Sequence, residues 1–80
     1  MGTKNNPGAY DCYHKAEPDE PMFVLLARDA LAPDLVEKWA DEAALFLGND
    51  HPKVVEARAC AEQMRAWPKR KYPNGVAAGR

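Results

Sequence analysis

One uninterrupted apolar run, MFVLLA at residues 22–27, constrains the fold of this 80-residue chain more than any other feature. The run follows Pro21, and it shows neither helical spacing of apolar residues nor the alternation of a half-exposed strand. A short continuous apolar run of this kind is typical of a strand buried on both faces. Helix is the alternative, because methionine, leucine and alanine are also good helix formers.

A buried strand requires a partner, since buried backbone N–H and C=O groups must be hydrogen-bonded and an open apolar edge promotes aggregation. Residues 8–16 or residues 72–78 could supply a second strand within the chain. The other possibility is pairing with the same strand of another subunit. Eighty residues bury only a small core, and two tryptophans, three tyrosines and two phenylalanines are many aromatics for that core. We therefore expect a homo-oligomer.

Two helices are predicted after the apolar run. The first extends from about Pro33, which suits a first helical turn, to about Leu47, where Gly48 follows as a stop. Its large apolar side chains fall on one stripe, and its smaller ones flank that stripe. The stripe consists of Leu35, Trp39 and Phe46, and the flanking residues are Val36, Ala40, Ala43 and Leu47.

The second predicted helix is capped by Asn49 or Asp50, has Pro52 in its first turn and ends before Pro68. Its apolar stripe is rich in alanine, so the two helices can approach closely, and the short connection makes them an antiparallel hairpin. The stripe contains Val54, Ala57, Ala61 and Met64, with Cys60 and Trp67 beside it.

The expected fold is a single α+β domain. A short N-terminal strand is followed by an antiparallel two-helix hairpin with extended arms, and the fold is completed by oligomerisation. Residues 1–21 form an extended arm, residues 22–67 form the strand-helix-helix core, and residues 68–80 form a basic C-terminal tail. No internal repeat or low-complexity segment interrupts this order.

Charge is distributed unevenly although the formal net charge is only −1. Residues 22–47 contain two basic and five acidic residues, whereas residues 68–80 contain four basic residues and no acid. A near-neutral chain with an acidic middle is a poor general nucleic-acid binder. No apolar run approaches membrane-spanning length, so no membrane partner is expected. Cys12 and Cys60 are interpreted as reduced thiols of a cytosolic protein, and the alternative is a Cys12–Cys60 disulfide that ties the N-terminal arm to the second helix.

Catalytic and metal-binding patterns are weak. The four possible zinc ligands are Cys12, His14, His51 and Cys60, and their spacing matches no standard zinc motif. Cys12 and His14 could act as nucleophile and base, but no third group is placed to orient them. The chain contains no serine and no glycine-rich phosphate loop. We therefore predict a protein that is not an enzyme and that carries no cofactor.

Arg28 and Asp29 form the sharpest candidate ligand site. They lie where the predicted strand ends, and an arginine at such a rim can bind a phosphate or carboxylate with two parallel hydrogen bonds. The alternative is a structural clamp, in which Arg28 pairs with Asp29, with Asp34 or with an acid of the preceding segment. Asp29 could also simply guide the chain into the first helix.

Further candidate ligand residues come from the two arms. The basic run Lys69, Arg70 and Lys71 could neutralise a phosphorylated ligand between subunits, or it could simply interact with the C-terminus of the second helix. Tyr10 and Tyr13 are candidates for stacking on a base or on a partner's surface. Trp39 and Trp67 are expected in the core.

The chain also resembles a group of small proteins encoded by tailed phages and prophages. The resemblance covers about residues 10–73, and its densest part is PDEP-x-F-x-L-x-ARD followed by AP-x-x-V-x-x-WA. The residues that carry it are Tyr13, Lys15, Pro18, Asp19, Glu20, Pro21, Phe23, Leu25, Ala27, Arg28, Asp29, Ala32, Pro33, Val36, Trp39 and Ala40, with Lys53, Glu56, Ala57, Ala61, Met64 and Trp67 later in the chain. The group has no known catalytic motif, so the resemblance implies a phage origin and the cytoplasm of an infected bacterial host.

The function hypothesis that follows is a homo-oligomeric binding protein that counteracts host defence by sequestering a small phosphorylated nucleotide signal. One alternative is a protein–protein inhibitor or adaptor that binds a host defence enzyme through the acidic face of the first helix. Another alternative is an accessory protein of phage replication or assembly. Size and phage origin are the analogy behind all three hypotheses.

Overall fold

The computed structural model describes residues 1–78, and its architecture is helical. It contains a one-turn helix α1 (Cys12–Lys15) and two longer helices, α2 (Ala32–Leu47) and α3 (Pro52–Arg65). Arg65 near the end of α3 pairs with Asp34 at the start of α2, so the two long helices are antiparallel. The helical hairpin therefore lies where the sequence predicted it.

The start and end of α2 follow from local backbone chemistry. The Asp29 carboxylate accepts a hydrogen bond from the Leu31 N–H (2.9 Å), and the Asp29 carbonyl accepts one from the Ala32 N–H (3.0 Å). These bonds turn the chain into the helix, and a proline in the first turn lacks the N–H that would be left unpaired there. Gly48, with φ 91° and ψ 152°, ends the helix in a conformation that other residues rarely adopt.

The N-terminal cap of α3 differs from the prediction. His51, rather than Asn49 or Asp50, occupies the cap position, and its Nδ1 accepts a hydrogen bond from the Lys53 N–H (3.1 Å). The sequence prediction was wrong by one or two residues because it considered only the usual amide and carboxylate caps. Pro52 lies in the first turn as expected.

Small side chains form the centre of the hairpin. Ala40, Val54 and Ala57 are completely buried there, and the partly buried residues packed against them are Met1, Val36, Ala43 and Ala44. The predicted large stripe of α2 does not face α3. Leu35, Trp39 and Phe46 are all exposed, because the alanine-rich faces bring the helices too close together to accommodate larger side chains.

The predicted strand at residues 22–27 is absent, so the expected α+β fold is wrong. These residues form neither helix nor strand, and residues 1–78 contain only two isolated bridges, Asp29 to Lys71 and Lys71 to Ala77. Backbone pairing with the C-terminal segment begins at the Arg28 carbonyl, just after the apolar run. A strand exists only when a neighbour pairs with it, and residues 1–78 supply no neighbour to residues 22–27.

The N-terminal arm packs on α3 through Glu56. The Glu56 carboxylate accepts hydrogen bonds from the backbone N–H groups of Ala9 and Tyr10 (both 3.1 Å) and pairs with the Met1 ammonium (3.1 Å). Desolvation alone would raise the pKa of Glu56, but the hydrogen bonds from Ala9, Met1 and Tyr10 outweigh it and lower the pKa. Within residues 8–16 the structure forms α1 instead of a strand, with Asp11 as its cap.

The C-terminal segment folds into a small hairpin. The Tyr72 N–H donates to the Val76 carbonyl (2.8 Å), and the Ala78 N–H donates to the Arg70 carbonyl (2.9 Å). Gly75, at φ 87°, provides the turn between them. Residues 79–80 of the predicted basic tail lie outside the described residues. None of the helices within residues 1–78 combines the length and the apolar content needed to cross a bilayer.

Candidate anion-binding groove

An open groove of about 540 Å³ lies where the end of the apolar run meets the C-terminal hairpin. The groove combines basic, aromatic and acidic side chains. Its lining residues are Arg28, Asp29, Trp67, Lys69, Lys71, Tyr72 and Pro73. Four of the predicted ligand residues, Arg28, Asp29, Lys69 and Lys71, are therefore brought together, although 40 positions separate Asp29 from Lys69.

Two backbone hydrogen bonds hold the groove together. The Lys71 N–H donates to the Arg28 carbonyl (2.9 Å), and the Ala30 N–H donates to the Lys71 carbonyl (2.8 Å). The backbone of Lys71 is therefore hydrogen-bonded to Arg28 and Ala30, the residues on either side of Asp29. The C-terminal hairpin fixes the other side of Lys71 through its bridge to Ala77. The groove is thus built on paired backbone rather than on a loose tail.

The groove contains positive charge that no acid of residues 1–78 neutralises through an ion pair. Within residues 1–78 neither Arg28 nor the two lysines Lys69 and Lys71 form an ion pair, so the predicted structural clamp is not seen there. Asp29 is the single acid of the lining, and its carboxylate is engaged by the Leu31 N–H. Three cations and one anion leave a formal charge of +2 in the groove.

Two other arginines, Arg58 and Arg65, are engaged quite differently. Arg58 pairs with Asp41 (2.6 Å), and Arg65 pairs with Asp34, Glu37 and Glu62. The hydrogen bond to Asp34, which has the larger effect, and the hydrogen bond to Glu37 raise the pKa of Arg65 further above its usual value. These arginines hold α2 and α3 together. Because Asp34 is bound to Arg65, it is not the counter-ion of Arg28.

Two aromatic side chains complete the groove, and sequence reasoning missed both. Trp67 was predicted to be in the core but is 53% exposed, and Tyr72 is 45% exposed. The position of Trp67 directly before Pro68, beyond the last turn of α3, was the feature of the sequence that pointed away from the core. The signal for Tyr72 was its place immediately after the basic run.

Three predicted ligand residues lie outside the groove. The ring of Tyr10 lies beneath the ammonium groups of Lys15 (5.4 Å) and Lys53 (6.0 Å), as a cation–π contact that fixes the arm. Tyr13 is exposed and meets only the edge of the His14 ring, with centroids 5.8 Å apart. Arg70 is half-buried and does not line the groove. The structure therefore does not group these three with Arg28.

A second cavity, of about 290 Å³, shares Arg28 and Trp67 with the groove. It runs between residues 25–27 and the last turns of α3, and Cys60 contributes to its wall. Burial raises the pKa of this thiol, and Cys60 is not bonded to Cys12. Within residues 1–78 no group of three or more metal-ligating side chains comes together.

No protein-family model, curated protein or solved structure matches this chain. The resemblance to small phage proteins therefore remains an expectation from the sequence. Any assignment of function has to depend on the chemistry of the groove itself. That chemistry is defined by three cations, two half-exposed aromatic rings and one carboxylate within a single concave surface.

Proposed function

We propose that this chain is a non-enzymatic binding protein that holds a small phosphorylated molecule with an aromatic base, such as a nucleotide, in the Arg28 groove. The observation that carries the proposal is the convergence of three cations without ion-pair partners in residues 1–78 and two half-exposed aromatic rings. Cations bind phosphate oxygens, and aromatic faces stack on bases.

Each group in the groove has a distinct role in this proposal. The planar guanidinium of Arg28 binds two phosphate oxygens in parallel, whereas Lys69 and Lys71 act as point charges. Trp67 or Tyr72 stacks on the base. The volume of about 540 Å³ falls within the range of small-molecule sites, which is roughly 300–1,000 Å³.

Binding without catalysis is supported by the composition of the lining. The groove contains no cysteine, serine, threonine or histidine, and its one carboxylate, that of Asp29, already accepts a hydrogen bond from the Leu31 N–H, so no nucleophile–base pair is formed by its described wall. The phage resemblance suggests the setting. In the cytoplasm of an infected bacterium, a protein that sequesters a nucleotide signal would weaken host defence.

Fluorescence of Trp67 tests the proposal directly. Substituting Trp39→Phe leaves Trp67 as the only tryptophan, so ligand stacking in the groove changes the emission. The protein is titrated with AMP, cyclic AMP and cyclic dinucleotides, with adenosine and inorganic phosphate as partial ligands. We expect at least one phosphorylated nucleotide to bind more tightly than both adenosine and inorganic phosphate. The same titrations are followed by calorimetry, which also detects stacking on Tyr72, and the proposal is wrong if neither signal changes with any of the nucleotides.

Matched variants separate specific binding from general charge. Removing a charge-assisted hydrogen bond costs about 1.5–3 kcal/mol, so Arg28→Ala should weaken nucleotide binding by roughly tenfold to a hundredfold. Lys38→Ala removes an exposed charge of α2 that does not line the groove, and it should leave the affinity unchanged. Equal effects of the two substitutions would indicate non-specific attraction and would contradict the proposed site.

A further inference from the structure

The chain exposes more surface than a folded monomer of its size. Its accessible surface is 6389 Å², whereas a compact monomer of 8.9 kDa exposes about 4,800 Å². The radius of gyration is 13.3 Å, compared with about 11.6 Å for a compact domain of this length. The excess surface is about 1,600 Å², more than the roughly 800 Å² that each partner contributes to a standard interface.

The apolar run at residues 22–27 contributes much of the large apolar surface that remains exposed. The side chains of Met22, Phe23, Val24 and Leu26 are all more than half exposed. Within residues 1–78 no backbone N–H of this segment donates a hydrogen bond, and the only accepting carbonyl is that of Leu26. A segment with free backbone groups and free apolar side chains can pair with another chain.

The two ends of the run carry opposite charge. Three exposed acids precede it, namely Glu17, Asp19 and Glu20. Arg28 follows it directly, beside the two lysines of the groove. When two copies of such a segment pair in antiparallel orientation, the acidic end of each copy lies against the basic end of the other. Parallel pairing would instead place like charges together, which is unfavourable.

We infer that residues 22–27 pack against the same residues of a second copy, in antiparallel orientation, across a twofold axis. A twofold interface is self-complementary, so one contact between acid and cation automatically occurs twice. The contact removes part of the exposed surface of Met22, Phe23, Val24 and Leu26 from water, and it places backbone groups of the run, most of which form no hydrogen bond within residues 1–78, beside those of the second copy.

The exposed stripe of α2 is the rival surface for this contact. Leu35, Trp39 and Phe46 lie on it, but Glu42 shares their face, and the Lys53 ammonium already lies 5.6 Å from the Trp39 ring centroid. The backbone of α2 is also satisfied within the helix. The stripe therefore has apolar area without the free backbone groups and the paired end charges of residues 22–27.

The inferred dimer shares Arg28 with the proposed ligand site. It is tested without any ligand, so that failure of the dimer and failure of the ligand site are distinguishable. Sedimentation velocity measures the dimer dissociation constant of the full chain, and circular dichroism confirms that each variant retains its helices. We expect a dimer at micromolar concentration. Phe23→Asp and Val24→Asp, made separately because neighbouring side chains of an extended segment point to opposite sides, should each raise the dissociation constant at least tenfold.

Two substitutions serve as controls for these variants. Val55→Asp introduces the same charge at an exposed valine of α3, and it should leave the dimer intact. Phe46→Asp tests the rival stripe of α2, and it should also leave the dimer intact. A dimer that is lost with Phe46→Asp but kept with Phe23→Asp would place the interface on α2 and overturn the inference.

A charge exchange tests the antiparallel orientation. Asp19→Lys and Arg28→Glu should each weaken the dimer, whereas the double variant should restore it, because the two charges face each other between copies. This charge exchange tests the dimer even if the apolar substitutions disturb folding. The inference would be overturned if the double variant failed to recover the dimer. It would also be overturned if the wild-type chain stayed monomeric at about 100 micromolar, which is roughly a hundredfold above the expected midpoint for a micromolar dimer. Stoichiometric capture of a host protein by a monomeric chain would do the same.

Discussion

Two adjacent valines on α3 provide a sharp test of how the hairpin core is built. Val54 is completely buried, whereas Val55 is 52% exposed. The two residues have the same side chain, lie in the same helix and differ only in what they contact. Substitution by alanine removes the same two methyl groups at each position. The difference between the two variants therefore measures burial alone.

The magnitude follows from the burial of each side chain. Removing two fully buried methyl groups costs about 1.6 kcal/mol in lost transfer free energy, and the remaining cavity adds about 1 kcal/mol. Because alanine is a better helix former than valine, each substitution also regains about 0.6 kcal/mol of the free energy of unfolding. Val54→Ala should therefore destabilise the protein by about 2 kcal/mol, whereas Val55→Ala should change its stability by less than about 0.5 kcal/mol.

Urea unfolding followed by circular dichroism measures both variants at one fixed protein concentration, since an oligomer's stability depends on concentration. The slope of the free energy of unfolding with urea should be the same for both variants and the wild type, so that a shifted midpoint reports stability. If the two substitutions have equal effects, α3 does not present Val54 to α2 in the way the structure shows. The reasoning about the core is then wrong.

The remaining predictions concern the arm and the end of α2. Because the folded state lowers the pKa of Glu56, the stability it contributes is present above its ordinary value of 4.5 and is lost as pH falls through the lower folded value. Hydrogen exchange of the Ala9 and Tyr10 amides should show the arm detaching in that acidic range; Glu56→Gln should remove this dependence, and an unchanged profile would contradict the assignment. Gly48→Ala should lower the free energy of unfolding by about 1–3 kcal/mol, because φ 91° with ψ 152° is strained for alanine and an added Cβ contacts nothing within 4 Å. An unchanged urea midpoint for Gly48→Ala would show that the helix ends in another conformation.

Sequence reasoning located the hairpin but not which face of α2 would be buried. Proline in a first turn and glycine after the last turn are local signals, and both marked the ends of α2 correctly. The large stripe of Leu35, Trp39 and Phe46 looked like the core because it is the more hydrophobic side. The structure instead buries Ala40, since the opposing face of α3 is also made of small residues. A face is chosen by what lies opposite it, and that information is not local.

In the candidate groove, too, the sequence indicated the chemistry of single residues but not which distant residues come together. Arg28, Asp29 and the basic run were identified from their chemistry, but nothing in the sequence indicated that Lys71 would pair with the backbone next to Asp29. Tyr10 was selected for its aromatic ring, and the structure uses that ring to hold Lys15 and Lys53. Trp67 was assigned to the core, and the structure exposes it in the groove.

The sequence by itself determined the elements whose signals lie within a few residues, namely the two long helices, the turn-rich arms and the concentration of basic charge after Trp67. The tertiary structure alone decided that residues 22–27 have no strand partner within residues 1–78 of one copy and that Lys71 pairs with the backbone beside Arg28. Helices satisfy their backbone groups internally, so their positions can be predicted from local sequence. Strands and grooves depend on partners that are distant in the chain or in another molecule, so only the assembled structure defines them.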